Sequence, residues 1–106
     1  ELMQRKTKLD LSDALTTWQL EELLPLPPAQ LSSGQRQRAF LAIQLYLPTQ
    51  VLLMDEPERY LDTHWQQCLT TELRNLASAG RIVVVATHSA DMLAACDHRI
   101  VVGHHG

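Results

Sequence analysis

Between Leu31 and Val102 the apolar positions follow two alternating periods. Ala39, Phe40, Ile43, Tyr46 and Leu47 recur at helical spacing and predict a helix over about residues 34–47. A short unbroken apolar run, VLLM, then predicts a strand at 51–54, followed by a helix over 63–79. A second run, IVVVA at 82–86, predicts another strand, and short turns lead through a helix near 91–96 into a last strand at 100–102. Strands separated by helices of this length predict parallel βαβ units, hence an α/β fold with a mostly parallel sheet and flanking helices. Because both runs are continuously apolar, helices are expected over both sheet faces.

Upstream, Leu11, Leu15, Trp18 and Leu23 recur near helical spacing behind Ser12, a candidate cap, and predict one amphipathic helix. Pro25, Pro27 and Pro28 are expected to end it, since proline lacks an N–H and disfavours helix in the residue before it. A joint at that point separates residues 1–30 from residues 31–106.

Composition adds limits. At 106 residues, 45% hydrophobic and 20% charged, the chain reads as globular with one modest core. A formal net charge of −3 gives no basic footprint for nucleic acid, so no direct nucleic-acid partner is expected and any phosphate must be held locally. No apolar run reaches the roughly 18–20 residues of a membrane-spanning helix, and no signal-peptide pattern is present, so a cytosolic location is expected. Cys68 and Cys96 form no CxxC pair and are expected to be buried free thiols.

Three stretches carry candidate chemistry. In LSSGQ at 31–35, Ser32 and Gln35 have capping-box spacing, so a helix should start there with free N–H groups that suit an anion, and Gly34 lets a phosphate approach the backbone. An ordinary capped helix would need the same residues. In VLLMDEP at 51–57, an apolar strand delivers Asp55 and Glu56 to the carboxyl edge of a sheet, where α/β proteins place ligands. Asp55 suits Mg²⁺, which takes one or two carboxylates and keeps its waters; Glu56 suits orienting a water beside a phosphoryl group. A strand ending in a solvated acidic turn is the alternative. In VVVATHS at 83–89, His88 reaches the same kind of edge and can donate to a phosphate, or merely occupy a turn. His64, His98, His104 and His105 have no ligand spacing.

The order of these stretches is more specific than any one alone. LSSGQRQRAFLAIQL resembles the signature helix of ATP-binding-cassette (ABC) ATPases, VLLMDEP their Walker B strand, Leu61-Asp62 the end of their D-loop, VVVATHS their switch-histidine strand, and CDHRIVV the strand that follows. The resemblance covers residues 31–102 well and residues 1–30 loosely, as the end of a helical subdomain, with 31–106 as the C-terminal half of the ATPase core. It implies that Ser32, Ser33, Gly34, Gln35 and Asp62 contact nucleotide or the subunit interface, that Asp55 serves Mg²⁺, and that Glu56 and His88 are catalytic. It further implies ATP and Mg²⁺ as cofactors, a second ABC ATPase subunit as partner, and a transmembrane permease at the cytoplasmic face whose transport is powered by hydrolysis.

Three features depart from the family pattern. Ser33 stands where the signature has a glycine, and Glu58, Arg59 and Tyr60 replace a pair of small residues. No GxxxxGK[ST] loop and no glutamine loop occurs in the 106 residues, so the segment alone is expected to be inactive. With Glu1 in place of an initiator Met, this fits a fragment of a longer ATPase; a stand-alone remnant supplying signature contacts to a partner is the alternative. A soluble relative in DNA repair or chromosome maintenance is the second functional reading.

Overall fold

The computed structural model describes residues 12–102. Residues 12–17 form helix α1, and after a 3₁₀ turn at Pro28–Gln30 come α2 (Ser33–Tyr46), β1 (Val51–Asp55), α3 (Thr63–Ser78), β2 (Ile82–Ala86) and α4 (Ala90–Ala94). β1 and β2 pair in parallel with Val51 opposite Ile82 and Asp55 opposite Ala86, so β1-α3-β2 is the expected βαβ unit.

Local chemistry sets the boundaries. Ser32 and Gln35 form the predicted capping box: the Gln35 N–H donates to Ser32 Oγ at 3.1 Å and the Ser32 N–H to Gln35 Oε1 at 2.9 Å. α2 stops at Leu47, which is extended (ψ 141°) as the residue before Pro48 requires. Asp62 caps α3 by accepting the Trp65 N–H at 3.0 Å. At its other end Gly80, at φ 98°, closes a Schellman turn in which Arg81 N–H reaches the Leu76 carbonyl.

One core runs through these elements. Trp18 from the end of α1, Leu41 and Leu45 from α2 and Leu69 from α3 are fully buried, and Leu52 and Met54 of β1 are nearly so. Each such side chain contributes about 1.5–3 kcal/mol through burial. Arg38 is also buried, and among the described residues no carboxylate pairs with it: Nη1 donates to the Trp18 carbonyl at 3.1 Å, and the guanidinium lies 4.4 Å from the Trp65 ring centroid. Trp65 in turn stacks on Trp18 at 5.7 Å, so α1, α2 and α3 meet in one cation–aromatic stack. Tyr46 donates its hydroxyl to Glu72, and burial, then that carboxylate, push its pKa up.

The structure corrects several expectations. α1 ends well before the prolines, because Gln19 adopts φ 51° and a Schellman turn forms, with Leu20 N–H donating to the Leu15 carbonyl at 3.0 Å; Leu23 then lies in a turn. Ser12 is itself helical rather than a cap, and Leu11 lies outside the described residues, as do His104 and His105. The sheet is covered on one face only among the described residues: Leu52 and Met54 are buried, whereas Leu53 is 69% exposed and Val84 50%. Ile100–Val102 is not a strand; with no ladder partner among the described residues, its side chains stand 80–89% exposed. Cys96 is exposed rather than buried. Cys68 is half-buried, and burial, then the nearby Glu72 charge, raise its thiol pKa.

Candidate functional site

Parallel pairing decides what meets at the sheet edge. Because Asp55 is in register with Ala86, the residues that follow each strand, Glu56 and Thr87-His88, leave the sheet side by side at its carboxyl end. The Glu56 N–H extends the ladder by one bond, donating to the Ala86 carbonyl at 2.7 Å. Glu56 also has φ 46°, a left-handed conformation that costs a non-glycine residue about 1 kcal/mol or more and recurs at functional sites. Asp55 and His88 are exposed and Glu56 is partly so.

The loop after β1 is tied down at several points. The Pro57 carbonyl accepts Gln37 Nε2 at 2.9 Å, and the Leu61 carbonyl accepts Gln66 Nε2 at 2.9 Å. Glu58 Oε2 accepts the Thr87 hydroxyl at 2.6 Å, and the same Thr87 oxygen accepts the Ser89 N–H at 2.9 Å. Tyr60, at φ 66°, turns its carbonyl toward α2, where a Cβ on Gly34 would lie 2.8 Å from that oxygen. Gly34 is therefore needed for close backbone packing within the chain.

The start of α2 is brought beside this loop. Ser32 and Ser33 are exposed there, and the capping box leaves the Ser33 and Gly34 N–H groups without a bond among the described residues, as an anion-binding helix terminus requires. Gln35 spends its side-chain oxygen on the cap. Asp62 is committed to α3 as its N-cap and stays exposed. Asp55, Glu56 and His88 thus share one edge, while Ser32–Gln35 and Asp62 border the loop that leaves it. Gln37, Glu58 and the Tyr60 carbonyl make contacts that no local sequence pattern reveals, joining segments 20 to 29 residues apart in the first two cases.

No group of three or more His, Cys, Asp or Glu side chains gathers to hold a metal among the described residues. A single exposed carboxylate, Asp55, fits Mg²⁺, whose other positions are filled by water and substrate phosphates. No described helix is long and apolar enough to cross a membrane.

Comparison with known proteins places these features in context. A family profile described as "AAA domain, putative AbiEii toxin, Type IV TA system" matches residues 3–94. The chain is 34% identical over 91 residues to the energy-coupling factor transporter ATP-binding protein EcfA of Carboxydothermus hydrogenoformans, covering 86% of this chain and 34% of that protein. It is 46% identical over 68 residues to the ABC transporter ATP-binding/permease protein Rv1747 of Mycobacterium tuberculosis, covering 64% of this chain and 8% of that protein. Its fold matches the dimeric structure of MJ0796, a bacterial ABC transporter cassette, with a TM-score of 0.70 at 30% identity, over 81% of this chain and 38% of that one. A post-hydrolysis dimer of the same cassette, bound to ADP and Pi, matches with a TM-score of 0.66 at 31% identity, over 87% of this chain and 39% of that one. The chain thus spans about a third of EcfA and a smaller part of Rv1747.

Proposed function

The chain belongs to the AAA-type domain family and carries the C-terminal part of an ABC ATPase nucleotide-binding domain, and on that premise we propose that it works within an ATPase that hydrolyses ATP at a dimer interface. The observation that carries this reading is the parallel register, which brings Asp55, Glu56 and His88 to one sheet edge. In this reading residues 1–30 end a helical subdomain and residues 31–106 form the second half of the core.

Bound Mg²⁺ would screen the phosphate charge, and Asp55 is the residue to hold it. Glu56, its backbone fixed by Ala86, orients the attacking water and takes its proton on the carboxylate. His88 donates a hydrogen bond to the terminal phosphate as negative charge develops there. Ser32, Ser33 and Gly34 offer a hydroxyl pair and free N–H groups to nucleotide held by a second subunit, with Gln35 locking the helix start and Asp62 lying at the interface. The phosphate-binding loop is not among these 106 residues. The work done is transport, with a permease at the cytoplasmic face of a membrane as the partner, a reading supported by the transporter names of EcfA and Rv1747.

The test is Glu56→Gln in the full-length protein. ATP turnover should fall by at least about a hundredfold, as loss of a general base does, while bound ATP persists in a stable dimer. Turnover near the wild-type rate would refute the assignment.

A further inference from the structure

His88 ends up on an exposed turn, yet the residue before it is held more firmly than a turn requires. Thr87 has one hydroxyl proton and directs it to Glu58 Oε2 at 2.6 Å, against 3.9 Å to Met92 Sδ. With its proton so placed, the oxygen turns a lone pair to the Ser89 N–H at 2.9 Å, a side-chain-to-backbone bond two residues on. Ser89 in turn caps α4 by accepting the Met92 N–H at 3.3 Å. His88 is therefore bracketed between two residues fixed by a single hydroxyl, and the orientation of that hydroxyl is set by Glu58.

Glu58 bears a cost in this position. Its other oxygen, Oε1, is buried without a hydrogen-bond partner among the described residues, an arrangement that disfavours folding. Holding a threonine in a turn does not by itself demand a carboxylate. What the carboxylate adds is a short, charge-assisted bond across 29 residues, from the loop that carries Glu56 to the turn that carries His88.

Resting on the ATPase reading above, we infer that Glu58 is a positioning residue for His88: through the Thr87 hydroxyl it fixes the turn that presents the imidazole, and it makes that turn move together with the loop bearing Glu56. Glu58 touches no reacting atom. Its effect is on how often His88 is aimed at the phosphate, so it enters the rate of turnover and not the affinity for nucleotide.

The experiment uses the full-length protein with Glu58→Ala, Thr87→Val, the double variant, and the conservative Glu58→Gln and Thr87→Ser. Without nucleotide, amide exchange at Ser89 should quicken about tenfold in Glu58→Ala and Thr87→Val, the equivalent of one hydrogen bond, and the His88 ring resonances should shift. With ATP and Mg²⁺, kcat should fall about tenfold with nucleotide Kd held within about twofold. The double variant should be no worse than either single, because both act through one bond. Glu58→Gln, which keeps an acceptor oxygen at the same reach, and Thr87→Ser should restore at least half of the activity and the slow Ser89 exchange. An unchanged Ser89 amide and His88 ring in Glu58→Ala would overturn the inference whether or not the protein hydrolyses ATP. So would a Ser89 amide that quickens with kcat unaltered in an active enzyme, or additive losses in the double variant. A wild-type protein without ATPase activity would sink the proposed function alone, leaving the His88 and Ser89 readouts to decide this point.

Discussion

Replacing Gly34 by alanine sets two effects against each other, and their sum has a defined sign. Gly34 lies in the first turn of α2, where alanine in place of glycine stabilises a helix by about 0.5–1 kcal/mol. The added Cβ, however, would sit 2.8 Å from the Tyr60 carbonyl oxygen and 3.9 Å from its carbon. The first distance is below any ordinary carbon–oxygen contact. Because the obstacle is main chain, no rotamer change relieves it, and overpacking of this kind costs about 1–3 kcal/mol. The balance is a net loss of about 1 kcal/mol, with α2 and the 57–61 loop pushed apart. Denaturant unfolding of the full-length protein, followed by tryptophan fluorescence to which the stacked Trp18–Trp65 pair contributes, reads this directly. Tyr60→Ala should not rescue Gly34→Ala, since the carbonyl stays. Tyr60→Gly should rescue it in part, because Tyr60 sits at φ 66° and glycine lets that peptide shift without strain. Gly80→Ala is the control: its Cβ would meet nothing within 4 Å, and its cost comes only from φ 98°, about 1–2 kcal/mol with no effect on the loop. A Gly34→Ala protein as stable as wild type or more so would show that the helix start and the loop are not packed as described.

Other outcomes follow from single contacts. Ser32→Arg puts bulk and charge at the exposed start of α2; in the Glu56→Gln background it should abolish the ATP-dependent dimer in sedimentation, and a persisting dimer would count against the shared site. Arg38→Leu leaves the Trp18 carbonyl without its donor and Trp65 without its cation, a loss of roughly 2–3 kcal/mol measurable by the same unfolding, and a neutral result would mean the stack contributes nothing. Alkylation followed by peptide mass spectrometry should label exposed Cys96 before Cys68; because burial and Glu72 raise the Cys68 thiol pKa, its labelling should need more alkaline solution than an ordinary thiol, and equal profiles would refute its burial.

Much of the site's skeleton was readable along the chain, for local reasons. VLLM and IVVVA fixed where the strands fall, and the three-residue spacing of Ser32 and Gln35 fixed the start of α2. The runs overstated coverage, because an apolar residue reads alike whether a helix covers it or not; Leu53 and Val84 are open where Leu52 is buried. The early end of α1 was hidden because Gln19 takes a left-handed conformation that residue type favours weakly. Gln37 with Pro57 and Glu58 with Thr87 are long-range bonds between segments that each read as ordinary polar turns. Gly34 read as a glycine that lets a phosphate approach, whereas the atom that comes close to it within the chain, a carbonyl from the second of two left-handed residues in the loop, appears only with the fold.

Those two residues, Glu56 at φ 46° and Tyr60 at φ 66°, bear on how this segment would change under different selections. Both occupy backbone conformations in which glycine or asparagine is more comfortable. A library sorted for thermal resistance alone would drift toward those residues at both positions, and at 56 it would discard the carboxylate on the way. Durable and productive variants would then part company at position 56 first, so sequence statistics gathered under the two regimes should diverge there before they diverge in the core.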